Sequence, residues 1–227
     1  GKQASAAVAK IFNTLNTDFG ILGIEEKDTC DSQRLAGEVG LFEEFAEYNI
    51  KTLKKYNFNK LLVTDPHALN AFKKEYPKHG GDFDVIHYTT YLAPFMSQLK
   101  FSKKLNYKVT FHDPCYLGRH NGEYEAPRQI LNSIPGLDLI EMGRCREQSY
   151  CCGGGGGGMW LDGFMADQVT ERLSENRVKE AVATGADVLA VCCPYEVSRF
   201  EDAVKSTGNE GKLLVKDIAE LIVDALG

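Results

Sequence analysis

The run VLAVCC, residues 188–193, contains no polar side chain. A strand built from it has no face to offer water, so both of its faces must be covered. That is the mark of a parallel strand buried between helical layers. Similar short apolar runs lie at 60–65, 84–89, 108–113 and 138–142, with a further candidate strand at 19–23. Amphipathic stretches separate them and predict helices at 4–16, 32–56, 66–76, 90–98, 126–134, 160–184, 195–206 and 215–225. Strand and helix alternation of this kind predicts an α/β layered fold.

Two segments repeat one design. Aligned on Pro66 and Pro194, LLVTDPHALNAF and LAVCCPYEVSRF each read as strand, proline turn and helix. Proline suits a first helical turn, where the missing N–H would have no partner anyway. In this alignment Asp65 meets Cys193 and Ala68 meets Glu196. The repeat predicts two tandem similar domains, each a small mostly parallel sheet flanked by helices, over residues 1–102 and 103–227. The first residues read as the middle of a helix, so the N-terminal domain is expected to be truncated at its start.

The formal net charge of -6 with 26% charged residues argues against binding nucleic acid. No long apolar run predicts a direct membrane span, and no secretory leader is visible. A reducing, cytoplasmic setting is therefore expected for the seven cysteines. Two adjacent pairs among them suit strained disulfides poorly. Clustered thiols in such a setting point to metal binding or redox chemistry.

The cysteines fall where open α/β sheets hold ligands, beyond the carboxyl ends of strands. Cys115 follows one strand, Cys192 and Cys193 end another, and Cys151 and Cys152 sit in a loop. The spacing C-x35-CC-x40-C matches neither the paired short motifs of structural zinc nor the compact ferredoxin run. Both an iron–sulfur centre and zinc stay open, as do metal-free redox thiols. Six glycines, 153–158, follow Cys152 directly. Gly153, Gly154 and Gly155 are read as a pocket wall whose amides face a bound group, rather than as a linker.

Other candidates have a functional and an ordinary reading. His112 could supply a proton, and Asp113 could fix its loop; a plain strand-end turn would look the same. Arg119 and His120 could balance negative charge. Cys145 lies beside two arginines and is also read as a free surface thiol. Glu196 could bind metal or simply favour a helix N-terminus. Cys192 could be a ligand or a core residue.

The segments FHDPCYLGRHNGEYEAPRQIL, EMGRCREQSYCCGGGGGGMW and ADVLAVCCPY together resemble the cysteine-rich CCG domain of heterodisulfide-reductase-like iron–sulfur oxidoreductases. The resemblance covers nearly the whole chain. It implies a [4Fe-4S] cluster of noncubane type, with zinc as the alternative. Cys115, Cys151, Cys152 and Cys193 stand at the family's ligand positions, Glu196 replaces the last cysteine, and Cys192 is an extra neighbour. The N-terminal half departs further, with KDTCDS at Lys27 and Asp65-Pro66-His67-Ala68 where relatives carry cysteines. It is read as a degenerate domain, in which Asp28, Cys30, Asp65 and His67 could at most form a weak metal site.

The resemblance further implies an electron-transfer or catalytic subunit working on disulfide and thiol groups, with His112 as the candidate catalytic residue. Its implied partners are a ferredoxin-like iron–sulfur domain or subunit and a flavoprotein or membrane quinone-linked subunit. A disulfide-type substrate and a peripheral attachment to the cytoplasmic membrane through a partner go with that reading. The alternatives are a non-catalytic electron relay or docking module of a quinone- or flavin-linked dehydrogenase complex, and a zinc-bound scaffold.

Overall fold

The computed structural model describes residues 2–161, 163 and 168–227. The chain forms two small parallel sheets, each flanked by helices, an α/β arrangement consistent with tandem similar domains. In the first half, α1 (Lys2–Thr14), α2 (Asp31–Leu35) and α3 (Val39–Leu53) precede β1 (Leu61–Val63) and α4 (Pro66–Asn70). A wider π-helical turn, Ala71–Glu75, continues α4. Then come β2 (Val85–His87), which pairs in parallel with β1, and α5 (Tyr88–Leu92).

The second half holds β3 (Tyr107–Phe111), α6 (Glu125–Ser133), β4 (Leu137–Leu139), α7 (Gly158–Leu161), α8 (Leu173–Ala183), β5 (Val188–Val191), α9 (Pro194–Ser206), β6 (Leu214–Asp217) and α10 (Ile218–Leu226). Its four strands run in the order β4-β3-β5-β6, all parallel. Helix α1 packs against α10, and the amides of Ser102 and Lys103 bond the Ala225 carbonyl. Among the described residues no helix is long and apolar enough to cross a membrane.

The burial of β5 explains its unbroken apolar sequence. Val188 and Ala190 face a core cluster that runs through both halves of the chain. Leu189 and Val191 face a second cluster under α8 and α9, with Val178, Phe200 and Ala203. The period of two continues past the strand. Cys192 joins the first cluster, and Cys193 points the other way, to the cavity.

Several expected elements differ. Residues 19–23 form no strand: Ile21 is 82% exposed, and a short 3-10 helix begins at Gly23. The helix expected over 32–56 breaks at Gly37, whose φ of 103° no α-helix accepts. The helix expected over 160–184 is two helices, α7 and α8; its residues 162 and 164–167 lie outside the described residues. The stretch expected to be one helix from 215 begins as β6, because Val215 completes the ladder with β5. Helix α10 then starts behind Asp217, whose carboxylate accepts from the Ala219 amide at 2.8 Å.

Asp217 is buried and also accepts from the Tyr88 hydroxyl at 2.7 Å, a contact between the two halves. Burial pushes its carboxyl up to about 6, against the lowering effect of Tyr88. A carboxyl raised in the folded state contributes its stability fully below its unfolded pKa and loses it as the pH rises through about 6. Two pKa units correspond to about 3 kcal/mol. The Asp217→Asn variant keeps a helix cap without the buried charge. Urea melts are expected to show it more stable than wild type by about 1–2 kcal/mol at pH 8 and no more stable at pH 4. A loss of stability at pH 8 would contradict the charge argument.

Candidate metal centre

Three chain segments meet beyond the carboxyl ends of β3 and β5. The first carries His112, Asp113 and Cys115. The amide of His112 still bonds the Ala190 carbonyl, so the segment leaves the sheet in register with β5. Asp113 is buried, grips Arg128 with both oxygens (2.6 and 2.9 Å), and accepts from the Arg146 amide at 2.7 Å. Arg119 donates to the carbonyl of Ser149 at 2.5 Å. Asp113 and Arg119 thus hold this segment to the one that carries the paired cysteines. His120 stacks on Tyr116.

The second segment is Cys151 to Gly158. The amide of Gly153 donates to Cys151 Sγ at 3.3 Å, and that of Gly154 to Cys152 Sγ at 3.4 Å. The glycine run closes into a tight turn. A Cβ on Gly158 would stand 2.3 Å from the Gly153 carbonyl oxygen, closer than any side chain permits. Helix α7 follows at once.

Cys151 is the hydrogen-bond acceptor among the three neighbouring thiols of this site. It accepts the S–H groups of Cys115 and Cys152 and the Gly153 amide, which together hold it far below the usual thiol range. Cys115 and Cys152 are pushed up by the same hydrogen bonds and by burial.

The third segment begins at Cys193, the N-cap of α9, with Pro194 at the first helical position. The related position in the first half is Asp65, which caps α4 by accepting from the amides of His67 and Ala68. Cys193 makes no such side-chain bond and lies at the cavity wall. Burial and the nearby Glu196 push its thiol well up.

Glu196, one turn into α9, is buried. Its Oε1 lies 3.3 Å from His112 Nε2. Its Oε2 is buried with no hydrogen-bond partner among the described residues. Burial, then the negative charges of Asp217 and Cys151, push this carboxyl well above the usual range.

His112 is held on its other side by a residue that the sequence does not flag. Arg177, fully buried on α8, donates from Nε to His112 Nδ1 at 3.0 Å. A guanidinium only donates. The neutral ring therefore carries its proton on Nε2, facing Glu196. Burial first and Arg177 second push His112 well below its usual pKa, which keeps the ring neutral.

Among the described residues, one set of three potential ligand atoms lies mutually within 4.8 Å: those of His112, Cys152 and Glu196. This overturns the expected [4Fe-4S] cluster, noncubane or otherwise. Such a cluster takes four thiolates, whereas this set is one thiol, one imidazole and one carboxyl. Cys192 lies in the apolar core. The cavity at the site is about 10 Å³, room for one water-sized occupant. Cys115, Cys152, Cys193 and Glu196 line it, with His67 across from them.

The other candidates lie apart. Both oxygens of Asp65 are engaged by helix amides. Asp28 accepts from the Cys30 amide, and Cys30 is buried, its thiol pushed up to about 11 by burial. Cys145 is half-buried, outside the cavity lining. Asp31, which orients His67 at 3.1 Å, gives no sequence signal, because it is brought to its partner only by the packing of α2 on α4.

Comparison with known proteins gives the site a context. Residues 109–195 match the CCG cysteine-rich domain. The chain is 37% identical over 227 residues to the probable iron-sulfur-binding oxidoreductase FadF of Bacillus subtilis, covering 99% of this chain and 32% of that protein. It is 35% identical over 230 residues to the EtfAB:quinone oxidoreductase of Syntrophomonas wolfei, again 99% of this chain and 32% of the relative. To one subunit of the dihydromethanophenazine:CoB--CoM heterodisulfide reductase of Methanosarcina mazei it is 37% identical over 230 residues, 97% of this chain and 54% of the relative. The chain thus spans about a third to a half of the length of these relatives.

Proposed function

Because this chain belongs to the CCG-domain iron–sulfur oxidoreductase family related to heterodisulfide reductase subunits, we propose that it is a docking module of such an oxidoreductase, built around a single zinc ion. The ion is held by Cys152, Glu196 and His112. The observation that carries the reading is the orphaned, buried Glu196 Oε2 beside a buried thiol and imidazole. Zinc takes sulfur at about 2.3 Å and nitrogen or oxygen at about 2.0–2.2 Å. The three donors lie within 4.8 Å of one another, and His112 Nε2 and Glu196 Oε1 are 3.3 Å apart, so small side-chain shifts bring them onto one ion. A mixed sulfur, nitrogen and oxygen set suits zinc, which imposes no geometry of its own.

The chain's residues each have a part in this reading. Gly153 and Gly154 donate amide hydrogens that fix the two sulfurs. Arg177 holds the His112 ring and offsets the negative charge left when its Nε2 proton departs. Cys115, Cys151 and Cys193 border the ion without sharing it. The partner is read from the name of a relative. The name EtfAB:quinone oxidoreductase supports a flavoprotein or quinone-linked partner, to which the module docks. A catalytic reading is favoured by one feature, the half-buried Cys151, whose thiol is drawn below its usual range by its hydrogen bonds from Cys115, Cys152 and the Gly153 amide. It predicts turnover of a small disulfide by the protein supplied with electrons, which the docking reading does not.

Titration with zinc in a competing indicator tests the centre. Saturation at one ion per chain is expected. Glu196 and Cys152 both hold their protons more tightly than usual, because burial disfavours their charged forms and Cys152 also donates to Cys151. Binding a cation must expel those two protons and the one on His112 Nε2, so affinity rises with pH. At least about tenfold per pH unit is expected between pH 6 and 8. Affinity independent of pH, or no saturable site, would contradict the reading.

A further inference from the structure

Two imidazoles flank Glu196 and Cys152, His67 in the cavity lining and His112 behind it, and their hydrogen bonds make them opposite in character. His112 accepts from Arg177 at Nδ1, so the nitrogen it turns to Glu196 bears a proton. His67 comes from the other half of the chain, on α4. Its Nδ1 lies 3.1 Å from Asp31 Oδ2. The other oxygen of Asp31 is taken by Arg34, through Nε at 3.1 Å and Nη2 at 2.8 Å. A carboxylate paired with a guanidinium only accepts, so His67 carries its proton on Nδ1. Its Nε2 then keeps a lone pair.

That lone pair sits at the cavity wall. The Cε1–Nε2 edge of His67 passes so close to Gly155 that a Cβ there would stand 3.0 and 3.2 Å from the two atoms. The ring is clamped face-on by Tyr116, at 3.9 Å between centroids, and edge-on by Tyr195, at 5.2 Å. Among the described residues the hydrogen bonds of the ring go to Nδ1, and Nε2 is left open at the cavity rather than sealed in the core. A buried imidazole held by a carboxylate on one nitrogen and presenting the other to a cavity is the arrangement that metal-bound histidines adopt.

We propose that His67 Nε2 is the fourth ligand of the ion held by Cys152, Glu196 and His112, so that the metal ties the two halves of the chain together. The inference rests on the metal reading above and adds a ligand that the group of three does not contain. His67 lies outside the set of atoms mutually within 4.8 Å, so uptake of the ion draws α4 and the Gly155 segment inward. Asp31 acts through His67 as a positioning residue. The cross-links already joining the halves here, Ser32 to Tyr195 at 3.0 Å and His67 against Tyr116, keep the two walls in reach of each other before metal arrives.

The test uses the intact protein loaded with cobalt(II) in place of zinc, and compares wild type with H67Q, H67A and D31N. Metal affinity, the cobalt ligand-field spectrum and the metal-induced rise in melting temperature are read together. The expected result is a loss of at least about 10-fold in affinity for H67Q and H67A, with a shifted cobalt spectrum. D31N is expected to weaken binding less and to leave the cobalt spectrum four-coordinate. If wild type binds one ion and H67Q binds it with the same affinity and the same spectrum, the fourth-ligand assignment is wrong while the metal reading stands. If wild type binds no ion, the metal reading itself fails. Should H67A not fold, H67Q, which keeps a planar polar side chain in the aromatic clamp, gives the same comparison.

Discussion

Replacing Cys152 with serine is expected to lower zinc affinity by about 100-fold or more. The serine hydroxyl is nearly the size of the thiol but does not ionise near neutrality, so the ion loses its one soft ligand. The same change should cost the metal-free protein about 1 kcal/mol, since Cys152 sits at the edge of the second core cluster and its S–H donates to Cys151. The comparison variant is Cys193→Ser. Cys193 lines the cavity but lies outside the group of three donors. Its affinity is expected to stay within a few-fold of wild type. Isothermal titration with zinc, run beside a melt of each metal-free protein, separates binding from folding. Equal losses in the two variants would mean that the ligand set is wrong.

The largest effect on stability is expected from Arg177→Met. This side chain is wholly buried, with 0% exposure. It donates to His112 Nδ1, to the Arg144 carbonyl at 2.8 Å, and to Glu180 at 2.6 Å. Methionine fills much of the space but leaves the imidazole and the carbonyl without their donor. Breaking one partner out of a buried charged network costs about 3–5 kcal/mol. For a chain of this size each kcal/mol moves the melting temperature by roughly 2–4 °C, so a fall of about 10 °C is expected. Burial lowers the pKa of this arginine, the sign that desolvation works against its charge. A melting temperature within 2 °C of wild type (roughly 1 kcal/mol) would show that the network contributes little.

The same two residues mark where the sequence is informative and where it is silent. The apolar run at 188–193 carries enough pattern to place β5, to bury both of its faces and to set Pro194 at the start of α9. The parity of that strand also decides between Cys192 and Cys193, since alternate residues face opposite layers. Parity becomes decisive only once both layers are seen. Cys115, Cys151, Cys152 and Glu196 stand out in the sequence as candidates because cysteine and acidic residues in loops beyond strand ends carry chemistry. The type of centre is not legible, because it depends on which donor atoms come within reach of one ion. Spacing along the chain puts cysteines in one region without setting distances of a few ångströms.

Arg177 and Asp31 leave no trace in the pattern. Each is one charged residue among many on a helix, and only the packing of α8 on α9, or of α2 on α4, turns it inward. The expected strand at 19–23 fails for the opposite reason. Its residues have the right type, but no second strand lies beside them, and Ile24 is 99% exposed.

What the protein carries when purified intact under anaerobic conditions decides whether the centre holds a single ion. Elemental analysis combined with an acid-labile sulfide assay and a visible absorption spectrum measures this directly. One zinc per chain, no sulfide and no visible absorption are expected. About four irons with matching sulfide would contradict the single-ion centre, and would restore to Cys115, Cys151 and Cys193 the ligand role that it denies them.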